Sequence, residues 1–247
     1  MFSKILFATD LSKMSERLVC SLRNLHKLGT REIVLIHCLN IRDIGSLAAT
    51  MTKMASPYLE KQKRLLEKQG FLISADIVLG LPHIEINRQA EEHDCSMIVV
   101  GTHGESAATE IIMGSIAHAI MNTATKSLLL LRADVKNGPD NEPCEEPECD
   151  YLRNILHPTD FSDNAERAFD YVKKLAECGA ERINLVHIQD SRKIDKYLKD
   201  RLDEFNRIDR ERLERLKRDI QDCGVNDVRG EILYGNPKKE IVEFISR

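Results

Sequence analysis

The 247-residue chain contains no tryptophan, and only 5% of its residues are aromatic. A core built from it must therefore be aliphatic. No apolar run approaches the roughly 18 residues that a membrane-spanning helix requires. The amino terminus, MFSKILFATD, places an acid at Asp10 and lacks a long apolar stretch, so it is not read as a signal peptide. Excess positive charge is also missing: the formal net charge is -4, whereas general nucleic-acid binding needs a basic face to neutralise phosphates. A disulfide framework is not expected, because the seven cysteines are odd in number and scattered; reduced thiols in a cytoplasmic protein fit better. With 42% apolar residues the chain can still bury a core, and its length suits one large domain or two ordinary ones. The 31% charged content would suit a heat-adapted protein, but alone it is a weak signal.

An internal repeat is present. ILFATDLS (residues 5–12) returns as ILHPTDFS (155–162), VLIHCLN (34–40) as NLVHIQD (184–190), and VLGLPHIEI (78–86) as LYGNPKKEI (233–241). Three matches in one order indicate a duplicated domain. Between the copies, KNGPDNEPCEEPECD (136–150) holds three prolines and six acids and no large apolar residue, the composition of a linker. Cys144 and Cys149 in it lack the nearby second ligand pair of a zinc site. The expected division is a first domain at 1–135, a linker at 136–150 and a second domain at 151–247. By the repeat offset Arg247 falls opposite Glu92. The second copy thus stops before the segment corresponding to residues 93–135, and we expect that this sequence omits it rather than that the domain is naturally short.

Within the first copy, apolar runs alternate with helix-period segments. Strands are expected at 4–9, 32–39, 72–79, 97–100 and 127–131. Helices are expected at 15–28 with Gly29 as stop, 56–69 opened near Pro57 and closed by Gly70, 82–93 opened by Pro82, and 114–123. Alternation of this kind predicts two tandem α/β Rossmann-like domains, each an open, mostly parallel five-stranded sheet covered on both faces, the second incomplete. Ligands of such sheets bind beyond the carboxyl ends of the strands, where strand order reverses. Asp10, Cys38 and Gly101 stand at such ends.

The stretch GTHGESAATEIIMGS (101–115) follows the apolar run MIVV. Gly101 lets a ligand lie against the backbone. Gly104 permits the positive φ of an anion-binding nest. Gly114 and Ser115 sit at the start of a helix, where free N–H groups and the dipole favour phosphate. Neither GxxxxGK[ST] nor GxGxxG is present. The spacing Gly-x2-Gly-x9-Gly-Ser at Gly101, Gly104, Gly114 and Ser115 resembles the nucleotide motif of the universal stress protein (UspA) family. That resemblance extends to ILFATDLS in the first copy and, up to its end, to the second.

The resemblance implies an adenine nucleotide, ATP or AMP, with magnesium accompanying ATP. It places Asp10 and the backbone of Cys38 beside adenine, and Ala8, Thr9, Val100 and Gly101 around adenine and ribose. Thr102 and His103 continue the loop, and Gly104, Gly114, Ser115 and Ile116 hold the phosphates. Ala8 stands where the family often has proline, which Pro158 keeps in the second copy. The family also implies pairing through the fifth strand, with a second copy or with the second domain. No Arg or Lys lies between Gly101 and Ser115 to neutralise charge developing during hydrolysis. His103 and Glu105 could polarise a water, but the H-x-G-H signature fails at Glu105 and no SGGxDS loop is present. The nucleotide is therefore read as a state signal in a stress-response regulator, at most a slow ATPase. The alternatives are a partner-dependent ATPase and an interaction protein that needs no nucleotide.

Overall fold

The computed structural model describes residues 2–102, 113–132, 150–197 and 199–247. It divides the chain into two compact units, Met1–Cys149 and Asp150–Arg247. In the first unit the strands are β1 (Lys4–Thr9), β2 (Glu32–Asn40), β3 (Leu72–Gly80), β4 (Met97–Gly101) and β5 (Ser127–Leu131). Its helices are α1 (Lys13–Ser21), the short α2 (Ile41–Ile44), α3 (Ala48–Lys68), α4 (Pro82–Glu92) and α5 (Ser115–Thr123). All five strands are parallel, in the order β3-β2-β1-β4-β5. In the second unit β6 (Ile155–Thr159), β7 (Arg182–Asp190) and β8 (Asp227–Gly235) form a three-stranded parallel sheet, β6-β7-β8. Its helices are α6 (Asp163–Glu177), α7 (Ser191–Tyr197), α8 (Leu202–Asp222) and α9 (Pro237–Ile245).

The aliphatic core forms as the composition requires. Ile5, Leu6 and Phe7 of β1, Leu35 of β2 and Ile98 of β4 are fully buried in mid-sheet. One face of the first sheet packs Leu6, Ile36 and Ile98 against Ile86 and Ala90 of α4 and Ala117 and Ile120 of α5. Parallel strands covered on both faces lose the polar alternation of a one-sided sheet, which is why MIVV reads as an unbroken apolar run.

Two helix boundaries differ from expectation. The 15–28 segment begins as α1 at Lys13 but tightens into a 3-10 helix over Leu22–Leu28, ended by Gly29 at φ 87°. The spacing of Leu22, Leu25 and Leu28 is three, so in a 3-10 turn all three side chains reach the core, and all are buried. Helix α3 begins at Ala48, well before Pro57, which lies inside it. Proline reads as a helix opener, yet Pro57 is solvent-exposed here. The cysteines also depart in part from a set of free thiols: Cys38, Cys95, Cys178 and Cys223 are free, whereas Cys20 is disulfide-bonded.

The repeats differ most tellingly in the core. Phe7 of β1 is replaced by His157 at the same place in β6. His157 is only 6% exposed, its ring lies 5.7 Å from that of Phe169, and its Nε2 finds no hydrogen-bond partner. Burial lowers its pKa below the ordinary 6.5. The unfolded chain therefore binds the proton first as pH falls. Stability held above about pH 6.5 is lost on acidification toward the lower folded-state value. His157→Phe should stabilise the second unit by about 1 kcal/mol through removal of an unsatisfied buried nitrogen, and should flatten its stability between pH 7 and 5. Urea midpoints across that range test this; identical slopes in the variant and the parent would contradict it.

Candidate functional site

Strand order reverses between β1 and β4, which lie side by side at the middle of the first sheet. β1 leads outward to β2 and β3, while β4 leads to β5 on the other side. The connections leaving β1 and β4 therefore diverge at their carboxyl ends, and a crevice opens between them. Ala8, Thr9 and Asp10 stand at one lip; Val100, Gly101 and Thr102 stand at the other. β1 ends opposite His37, but β2 continues beside β3 until Asn40 meets Gly80. Cys38 thus lies beyond the last β1 pairing, at the same edge of the sheet.

The turn after β1 is built from its own side chains. The Thr9 hydroxyl accepts from the Leu11 N–H at 3.0 Å, and Asp10 Oδ1 accepts from the Ser12 N–H at 3.0 Å and from the Ser15 hydroxyl. The Ser12 hydroxyl caps α1 by accepting from the Ser15 N–H at 3.1 Å. These bonds hold Leu11 at φ 62°, rare for a residue with a branched side chain. The second unit repeats the device: Thr159 accepts from Phe161, Asp160 from Ser162, and Phe161 sits at φ 57°. In both units a histidine Nδ1 (His37, His187) bonds the threonine carbonyl at 2.9 Å. Recurrence of Thr-Asp-x-Ser is therefore explained by turn chemistry alone. It places Asp10 at the crevice.

The crevice has an apolar floor. Ala8, Cys38 and Met113 are partly buried and pack on the core cluster that contains Val100 and Ala117. Met113 was not a sequence candidate; its only signal is an apolar side chain directly before Gly114. The Cys38 sulfhydryl contacts the Gly80 carbonyl at 3.9 Å. Burial, helped by the nearby Glu85 carboxylate, pushes its thiol from 9.0 up to about 11. At neutral pH the thiolate fraction should then be about 100-fold below that of an ordinary thiol. Iodoacetamide should alkylate Cys38 correspondingly slowly, at a rate rising tenfold per pH unit through pH 9. Peptide mass spectrometry reads this directly, and labelling as fast as that of a free thiol at pH 7.5 would contradict it.

The glycine-rich segment leaves and re-enters the sheet edge at fixed points. Gly101 is the last residue of β4 and pairs with Leu131 of β5. The Thr102 N–H donates to the Leu131 carbonyl at 2.8 Å, and the Gly114 N–H donates to the Thr102 carbonyl at 2.8 Å. Exit and return are thereby joined at the neck. His103 and Gly104 lie outside the described residues, as do Glu105, Cys144 and Cys149. Gly114 is the N-cap of α5, with no side-chain cap; Ser115 and Ile116 begin the helix and are exposed. No acid occupies its first turn. The uncapped amino end of α5, with its N–H groups and positive dipole end, stands at the crevice.

Gly114 is informative in its own right. Its φ is -57° and its ψ is 146°, values open to any residue. Among the described residues, a Cβ built there would meet only the Thr102 carbonyl oxygen, at an ordinary 3.6 Å. Neither backbone conformation nor packing of the described residues calls for glycine. Gly80 is the opposite case: a Cβ there would lie 2.5 Å from Glu85 Cγ. Among the described residues no group of three or more His, Cys, Asp or Glu is placed to hold a metal ion, and no helix is long and apolar enough to cross a membrane.

The sequence model of the universal stress protein family matches residues 1–132 and again 152–247. The universal stress protein MJ0577 of Methanocaldococcus jannaschii is 27% identical over 155 residues, covering 53% of this chain and 96% of the relative. Its solved structure superposes on 54% of this chain and 98% of its own, with a TM-score of 0.51 and 30% identity. Universal stress protein YxiE of Bacillus subtilis is 26% identical over 148 residues, covering 53% of this chain and all of the relative. A universal stress protein from Archaeoglobus fulgidus matches 98% of this chain and 81% of its own at a TM-score of 0.74 and 21% identity, a likeness of fold over both units. Two successive matches to one family model, on two units with the same strand-and-helix order, show that this chain belongs to the universal stress protein family as a tandem repeat of its fold.

Proposed function

We propose that the first unit binds an adenine nucleotide, ATP or AMP, at the crevice between β1 and β4, and that occupancy is a signal in a stress response. The observation that carries this reading is Gly114: a glycine with room for a side chain among the described residues and no conformational need of its own, at a helix start without a side-chain cap. A phosphate lying against the Gly114 backbone supplies the missing reason. In this reading Ala8, Cys38, Met113 and Val100 underlie the base, with Thr9 and Asp10 at its edge. Gly101, Thr102 and His103 pass the ribose, and Gly104, Gly114, Ser115 and Ile116 hold the phosphates, with magnesium accompanying ATP. Turnover is slow, because no cation stands between residues 101 and 115 and a well-placed arginine is worth about 10³–10⁵ in rate. The protein acts in the cytoplasm.

Residues 151–247 hold no glycine loop of this spacing, so the chain should bind one nucleotide. Calorimetric titration with ATP and AMP should give a stoichiometry near one and a much weaker response to GTP. A stoichiometry near two, equal affinity for GTP, or rapid hydrolysis on the order of 1 s⁻¹ would overturn the reading. A second reading, pairing with another copy through β5, is favoured by that strand's place at the sheet edge, with Ser127 to Leu130 only partly buried.

A further inference from the structure

We infer that an exposed apolar row on α3, Leu47, Met51, Met54 and Tyr58, is a contact surface for a second copy of this chain. Spacings of four, three and four residues put these side chains in one line along the helix. Leu47, Met54 and Tyr58 are 58–61% exposed and Met51 37%. The buried residues of α3 begin only at Leu59. Helix α1 packs against α3, and Lys61, the next position of the row, pairs with Glu16 of α1. Toward Leu47 the row runs on past that cover. A continuous exposed apolar patch of this kind marks an interaction surface.

The fold itself does not require this row. Helix α8 holds the same place in the second unit. Aligned from their first residues, its buried Leu213, Leu216 and Ile220 match Leu59, Gln62 and Leu66 of α3. From Gly45 to Leu59 the one charged residue is Lys53, in a chain that is 31% charged. The matching span of the second unit, 199–213, holds ten charged residues. There the row reads Arg201, Phe205, Ile208 and Arg212. Arg201 lies over the Phe205 ring at 5.6 Å, and Phe205 and Ile208 are partly buried. One copy of the fold thus shields the row with cations, while the other leaves it bare and apolar.

Symmetry, charge and area select a second copy as the occupant. The four-three-four spacing reads the same in both directions. An antiparallel copy therefore sets Leu47 against Tyr58 and Met51 against Met54 about a two-fold axis, an isologous contact. The row carries no charge, so nothing opposes the pairing of like with like, and nothing on it would recognise an acidic or basic partner. Thr50 and Pro57 beside the row are small, which lets the helix axes approach to about 8–10 Å. The flexible methionine thioethers fill an irregular seam of this kind. Four such residues from each copy, with their small neighbours, bury on the order of 1,000 Å² in total, the lower end for a specific interface. The dimer is therefore reversible. It uses neither β5 nor any residue of the proposed nucleotide site.

Sedimentation of the full chain between about 1 and 200 μM tests this. Met51→Glu/Met54→Glu brings four carboxylates to the two-fold axis and should weaken self-association at least about tenfold. Tyr171→Glu, at an exposed position of α6, should leave it within about twofold. Hydrogen peroxide footprinting of the parent chain gives a second readout. Oxidation of Met51 and Met54 to sulfoxides should slow as protein concentration rises, while that of Met121, exposed on α5, should not. Association that persists in the methionine variant, or protection of Met121 instead, would place the contact elsewhere and overturn the proposal. A parent chain that stays monomeric would overturn it as well. Slow oxidation of both methionines at every concentration would then assign the cover to a segment of the chain itself, and fast oxidation would leave the row open in this protein alone.

Discussion

Gly114→Val should reduce affinity for ATP and AMP at least about 100-fold, close to 3 kcal/mol, while leaving the first unit folded. The two halves of that expectation rest on different observations. Folding survives because the Gly114 backbone, at φ -57°, is ordinary for a branched residue, and a Cβ there makes one contact at 3.6 Å. Its N–H bond to the Thr102 carbonyl is a backbone bond that valine keeps. Binding fails because the valine methyls would project from the cap of α5 into the space where a phosphate must approach the Ser115 and Ile116 N–H groups. Gly114→Ala should fall between the two, since it adds one methyl. Thermal unfolding without ligand should be nearly unchanged in both variants, and the ATP-dependent rise in melting temperature should vanish in the valine form. Equal affinity in parent and valine variant would remove the phosphate from this helix. Loss of the fold itself would show that glycine serves packing in ways the neck geometry does not contain.

The second large effect concerns the second unit's core. Asp209→Ala should destabilise that unit by about 3 kcal/mol. Asp209 of α8 is 8% exposed; its Oδ2 accepts from Gln189 Nε2 at 2.8 Å and lies 3.3 Å from His187 Nε2. Gln189 is itself 4% exposed. Arg212 lies 4.0 Å from the other carboxylate oxygen and stacks over the Phe161 ring at 5.2 Å. Removing the carboxylate leaves the buried Gln189 Nε2 donor without its acceptor, which costs more than the bond itself contributed. The first unit shows the apolar solution: Leu39 stands at the place of Gln189 in the repeat, and Ala55 at the place of Asp209 when α3 and α8 are aligned from their first residues, Ala48 and Leu202. Asp209→Ala/Gln189→Leu should therefore recover most of the loss, with a coupling of roughly 1–2 kcal/mol. Denaturant unfolding of the four proteins of the cycle measures it. Additive effects would mean that the glutamine and the aspartate do not depend on each other.

The amino-acid sequence by itself determined the duplication, the alternation of strand and helix and the end of the sheet to which Asp10, Cys38 and Gly101 belong. These are readings of local pattern. ILFATD and ILHPTD are strands because aliphatic runs of that length, ended by turn-forming side chains, bury on two faces. Gly-x2-Gly-x9-Gly-Ser stands out because glycine is scarce in buried strands and helices. What the chain does over tens of residues was not legible there. Nothing adjacent to Asp209 announces a buried carboxylate; its partner Gln189 is twenty residues away, and only the packing of α8 on β7 brings them together. Met113 became part of the crevice floor because the Thr102–Gly114 neck returns it to the core face. Pro57 looked like a helix start because a proline's local cost is fixed, whereas the helix around it is held by tertiary burial of Leu59, Gln62 and Leu66. Asp10 shows the converse. The sequence marks it twice, but the fold spends one carboxylate oxygen on closing its own turn, because a short side chain bonds its nearest backbone N–H before anything more distant arrives.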